Sequence, residues 1–179
     1  MKKITKATIA GAAGILLLAG GTTFALWSDS ATVNGGSVTS GTLALEATGT
    51  PAWNDTSTAT PVPIADIAAF RIVPGDTVEY TSSFTVSATG DNLTADLDVS
   101  DPVAATGDAA LIAATTVTQS FTDENGDPVA DGQITSDNDG DVINVTVTIA
   151  FSSATTGTTA QNETLDLSDL TVTLQQTRP

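Results

Sequence analysis

The sequence predicts an all-β protein, a single antiparallel β-sandwich of jelly-roll or Ig-like type, preceded by an N-terminal signal helix. Three observations carry that expectation. Beyond residue 40 apolar side chains recur at every second position, the segments in which they do so are rich in Thr and Val, and Gly, Pro, Asn and Asp punctuate them at short-strand spacing. With no internal repeat and no second folded domain in view, the expected organisation is a signal peptide over 1–25 and a sandwich domain over 26–179.

The first element is the export signal. "MKKITK" is basic, "ATIAGAAGILLLAGG" is apolar, and "TTFA" places Thr23 and Ala25 before a cut between Ala25 and Leu26, the tripartite layout of a secretory signal. Ile9 to Leu26 is about long enough to cross a bilayer, but Gly11, Gly14, Gly20 and Gly21 dilute the run and only Ile15 to Ala19 is strongly apolar. Cleavage is therefore expected, with no membrane anchor left behind and a secreted, cell-surface or matrix location.

An N-terminal strand is expected within 26–47, where "SGTLALEAT" sets Leu43, Leu45 and Ala47 on one face. The stretch 49–68, with most of the prolines and no sustained period, reads as a long connection, followed by a short strand at Ala69 to Ile72 and a turn at Pro74 and Gly75. "TVEYTSSFTVSAT" aligns Val78, Tyr80, Phe84, Val86 and Ala88, interrupted only by Ser82. "LTADLDV" follows across "TGDN", which suggests a hairpin. "DAALIAATT" suits a short helix or a covering loop. Val117 to Phe121 reads as a strand, with a turn at Asn125 and Gly126 and a short return strand. The clearest strand is "DVINVTVTIAF", with Ile143, Val145, Val147, Ile149 and Phe151 on one face. In "ETLDLSDLTVTLQQ" the parity changes between Leu167 and Leu170, which a bulge near Ser168 and Asp169 would repair.

Charge and missing residue types exclude several functions. The formal charge is −16, from 21 acidic and 5 basic residues, and removal of residues 1–25 leaves 21 acids against Arg71 and Arg178, or −19. Such a polyanion repels nucleic acid and anionic lipid and needs salt or cations to pack closely against its own kind. With no His and no Cys, imidazole bases, thiolate nucleophiles and disulfides are absent, and a Ser–Lys pair would lack its Lys in the mature chain. Asp96 and Asp98 read as solvated charges on an outward strand face. No enzyme is expected and no cofactor is required.

Calcium is the one metal the sequence raises. "DENGD" offers Asp123, Asn125 and Asp127, and "DNDGD" offers Asp137, Asp139 and Asp141, oxygen ligands at alternate positions. Glycine falls fourth rather than sixth and the twelfth positions are Ile134 and Thr148, so these are not EF-hand loops; acidic hairpin turns are the commoner explanation.

The junction "GGTTFALWSDSATVNGGSVTSGTLAL" and the later "RIVPGDTVEYTSSFTVSATGDNLTADLDVS" resemble the TasA and camelysin family, the first over residues up to 45 and the second over 70–100. The resemblance implies a dedicated signal peptidase, a jelly-roll domain, and extracellular fibres of the biofilm matrix. It also implies that the mature N-terminal segment leaves its own subunit to complete a sheet in the next. Leu26, Trp27, Val33 and Val38 are the candidate inserted residues. Four fully buried side chains of this kind would contribute roughly 6–12 kcal/mol before the cost of association. The expected partners are copies of the same chain, as a homo-oligomer or fibre. A second reading is a monomeric extracellular binding module whose 49–68 loop, with Trp53 and Ile64, contacts a glycan or protein.

Overall fold

A computed structural model describes residues 35–100 and 107–177. The chain divides into two units, 1–38 and 39–179; of the first, only 35–38 are described, exposed and without regular structure. The expected signal helix lies outside the described residues. Among the described residues no helix is long and apolar enough to cross a membrane.

The second unit is an antiparallel β-sandwich. Its strands are β1 (Thr42–Asp55), β2 (Val62–Ile64), β3 (Thr77–Thr89), β4 (Thr94–Val99), β5 (Thr115–Thr122), β6 (Gln133–Thr135), β7 (Val142–Phe151) and β8 (Val172–Gln176), with one helix, α1 (Ala109–Ala113), before β5. One sheet runs β2-β1-β3-β7-β5 and the other β6-β4-β8.

The core lies under β7 and β3. Ile143, Val145, Val147, Ile149 and Phe151 of β7 are buried at every second position, with β3 and β5 hydrogen-bonded on either side. Val78, Val86 and Ala88 of β3 join them, and Ala95, Leu97 and Val99 of β4 with Ile134 of β6 close the opposite face. At roughly 1.5–3 kcal/mol for each large apolar side chain removed from water, this cluster dominates the stability of the sandwich.

Several expectations are corrected. The N-terminal strand begins, within the described residues, only at Thr42; Gly35 to Gly41 is exposed and unpaired, and Gly35 and Gly36 have no neighbours that would hold them in a sheet. The stretch after residue 48 is not all connection. β1 continues to Asp55 and pairs with β2 through Trp53↔Ile64, Asn54↔Pro63 and Asp55↔Val62. Pro63 is tolerated because β2 is an outermost strand that needs no second partner. No strand forms at Ala69 to Ile72. Asp66 accepts a hydrogen bond from the Ala68 amide (3.0 Å) and caps a single 3-10 turn, Ile67–Ala69, instead.

β3 and β4 do not form a hairpin. The 90–93 turn carries the chain from one sheet to the other, which lets the apolar faces of both strands meet the same core. After β5 the chain makes only one bridge back, Thr122↔Pro128, before β6 joins the second sheet. At the C-terminal end β8 is confined to Val172–Gln176. The parity change at Ser168 and Asp169 is a turn between Leu167 and Leu170 rather than a bulge within a strand, yet Leu165, Leu167, Leu170, Val172 and Leu174 all pack on the core. The Ala-rich 109–113 segment is helical.

Candidate functional site

The two sheets are unequal, and the consequence falls on β1. Along Thr42–Thr48 this strand pairs with β3 on one side and, among the described residues, has no partner on the other, because β2 covers only Trp53–Asp55. An unpartnered edge of this kind presents free N–H and C=O groups to any extended chain. The edge is bounded in sequence. Thr48 pairs with Ser83 and Ala52 with Thr81, so Gly49, Thr50 and Pro51 stand opposite the single residue Ser82. Gly49 takes a φ of 86°, which its lack of a Cβ permits, and Pro51 falls where no ladder bond is required. The hydroxyls of Thr48 and Ser82 are buried beside this bulge without hydrogen-bond partners.

Across the sandwich the neighbouring edge belongs to β8, which among the described residues pairs with β4 alone. β1 and β8 approach each other, and Leu43 and Gln176 line one cleft of about 390 Å³ together with Thr42, Gly90, Asp91 and Leu93. Leu43 and Leu45 of β1 and Val172 and Leu174 of β8 face the core but remain half-buried, unlike the fully buried residues of β7. This side of the sandwich is a shallow cleft, lined by Leu43 and Leu93 among polar residues, between two strand edges that have no further partner among the described residues.

Of the predicted site residues, Ala25, Leu26, Trp27 and Val33 lie outside the described residues. Val38 is 100% exposed and belongs to no strand. Trp53 is half-buried, its ring 5.1 Å from that of Tyr80, and it stands opposite Ile64 on β2, so it forms part of the packed end of β1.

The two acidic loops stand at the same end of the first sheet, where β5 finishes and β7 starts. Their oxygens are largely engaged by the chain itself. Asp123 Oδ1 accepts from the Asn125 and Asp127 amides (both 2.8 Å), and Oδ2 accepts from Asn125 Nδ2 (3.2 Å). These donors, the Asp127 amide foremost, hold the Asp123 carboxyl below the ordinary aspartate value. In the second loop Asp139 Oδ1 accepts from the Ala88 amide (2.8 Å), and Asp141 Oδ2 accepts from Asn138 Nδ2 (3.1 Å). The carboxylates of Asp127 and Asp137 make no hydrogen bond among the described residues. Among those residues no three acidic side chains converge as a metal would require.

Sequence reasoning missed the open β1 edge because it follows from the register and length of β2. The signal was present in "TPVPI", whose two prolines limit how far a pairing strand can extend. Compared with protein-family models, curated proteins and solved structures, the chain matches none.

Proposed function

We propose that this is a secreted structural protein of the cell surface or biofilm matrix that assembles into fibres by strand exchange. The mature N-terminal segment, residues 26–38, leaves its own subunit and pairs with the open Thr42–Thr48 edge of β1 in the next. The observation that carries the reading is that edge, unpartnered among the described residues over a defined length and flanked by half-buried Leu43 and Leu45. A guest strand there satisfies backbone groups and places alternate side chains toward the cleft between β1 and β8. Residues 42–47 are held by β3 of their own sheet, so the donated part ends before Thr42. Donor and acceptor surfaces differ, so the contact is head-to-tail and grows as an open filament.

The tripartite signal at residues 1–25 and the resemblance to the TasA and camelysin family support the same reading; calcium has no required place in it. A monomeric binding module on the 49–68 segment draws less support, because Trp53 is committed to Tyr80 and Ile64. Electron microscopy of the mature chain at high concentration tests the proposal. Filaments that disappear when residues 26–38 are deleted support it; a wild-type chain that stays monomeric, or filaments that survive the deletion, defeat it.

A further inference from the structure

Among the described residues Asn125 is the only asparagine followed by glycine. The pair is exposed in the loop after β5, with Gly126 at a φ of 86° and nothing within 4 Å of the place a Cβ would take. A residue without a Cβ leaves its amide nitrogen unshielded, so that nitrogen can approach the side-chain Cγ of the residue before it.

Two Asp–Gly pairs share this spacing and are tied to the sandwich. Gly132 is buried, and a Cβ there would stand 2.6 Å from Leu97 O. The Gly140 amide donates to Val86 O (2.9 Å), while Asp139 Oδ1 accepts from the Ala88 amide (2.8 Å). Asn125 and Gly126 have no such tie. Every hydrogen bond the pair makes among the described residues goes to Asp123. The Asn125 amide donates to Asp123 Oδ1 (2.8 Å), Asn125 Nδ2 to Asp123 Oδ2 (3.2 Å), and the Gly126 amide to Asp123 O (3.1 Å). Such bonds in an exposed loop open at a small fraction of the cost of global unfolding.

We propose that Asn125 is a deamidation site and that Asp123 is the clamp that sets its rate. When the clamp opens, the Gly126 amide nitrogen attacks Asn125 Cγ. The N–Cγ bond forms, the Cγ–Nδ2 bond breaks, and Nδ2 leaves as ammonia with the proton that the Gly126 amide gives up. Water then opens the resulting succinimide at either carbonyl, yielding aspartate or isoaspartate. Both products add a negative charge to a loop that is already acidic. Isoaspartate also inserts one carbon into the backbone between 125 and 126. The turn closed by the Asp123 amide on Asp127 O (2.9 Å) then no longer has its native length, and the end of β5 loses that closure.

The test is incubation of the mature, folded chain in neutral buffer, with peptide fragmentation to assign any amide-to-acid mass gain and to separate Asn125 from Asn34, which also precedes a glycine. Conversion at Asn125, with both aspartate and isoaspartate formed, is expected. Asp123→Ala is expected to speed it about fivefold, the effect of removing about one net hydrogen bond from the closed loop. Asp123→Asn keeps an oxygen for the backbone amides and loses the acceptor for Asn125 Nδ2, and its rate is expected to fall between the two. An Asn125 that persists in the folded chain while it converts in urea overturns the proposal. So does an Asp123→Asn or Asp123→Ala variant that converts no faster than wild type with its melting transition intact.

Discussion

β7 and β1 are built from the same materials and fare differently. Each sets aliphatic residues at every second position, yet the inward residues of β7 are at most 4% exposed while Leu43 and Leu45 of β1 stay half-buried. The reason is place in the sheet. β7 has β3 and β5 on its two sides, whereas among the described residues the first half of β1 has β3 alone and the narrower second sheet ends beside it at β8. Apolarity determines which face of a strand turns inward; the number of neighbours determines how much water that face loses.

The largest expected effect tests that difference directly. Ile149→Ala removes a side chain that is 1% exposed and leaves a cavity that the close-packed centre fills poorly, which costs about 3–4 kcal/mol. Leu45→Ala removes the same three carbons but from a half-wet site, with an expected cost of about 1 kcal/mol. Urea midpoints of the two variants give the comparison. Equal losses would mean that β1 is as completely covered as β7 and that its edge is not open.

The same contrast explains what could be read in the sequence. The period-two segments at 77–89, 94–99 and 142–151 name their own inward faces, because every turn of the pleat repeats the choice, and all three became strands with those faces buried. Pairing partners were not legible. The 90–93 turn carries polar residues that suit a hairpin or a crossing between sheets, and only the shared core under β3 and β4 selects the crossing. The sequence places Trp53 and Ile64 in a loop because Pro51 and Pro63 break the pattern, yet a bulge and an outermost strand accommodate both prolines. For the candidate site, the polar loops were visible as motifs, whereas the open edge exists only as a difference between the lengths of β1 and β2.

Ser82 marks the seam between the two regions. It occupies a core position of β3 opposite Val145, is 7% exposed, and its hydroxyl has no partner because the β1 bulge supplies none. A hydroxyl buried in this way forfeits its bonds to water without recompense. Ser82→Ala is therefore expected to raise stability by up to about 1 kcal/mol, read as a higher urea midpoint with unchanged slope. A loss of stability instead would show that the hydroxyl is satisfied and that the seam is wet.

The smallest effect concerns the other outer strand. Among the described residues β5 also pairs on one side only, but its final turn is closed by its own loop: the Val129 amide donates to Phe121 O (3.0 Å) and the Asp123 amide to Asp127 O (2.9 Å). The Asp123 carboxylate organises that closure, and the bonds it accepts lower its pKa from the ordinary 3.8. A carboxyl depressed in the folded state stabilises the fold fully above the unfolded value and loses that contribution as pH falls through the folded one. Asp55 and Asp166, each bonded by a nearby serine, follow the same sign. Protonation of the remaining acids acts in the opposite direction by relieving self-repulsion, so the wild-type curve mixes the two. Asp123→Ala separates them. Below pH 3.8 the gap in urea midpoint between variant and wild type is expected to narrow, and above it to stay constant. A gap that is independent of pH would show that the β5 loop closes without its carboxylate, and that the two outer strands differ in their loops rather than in their charges.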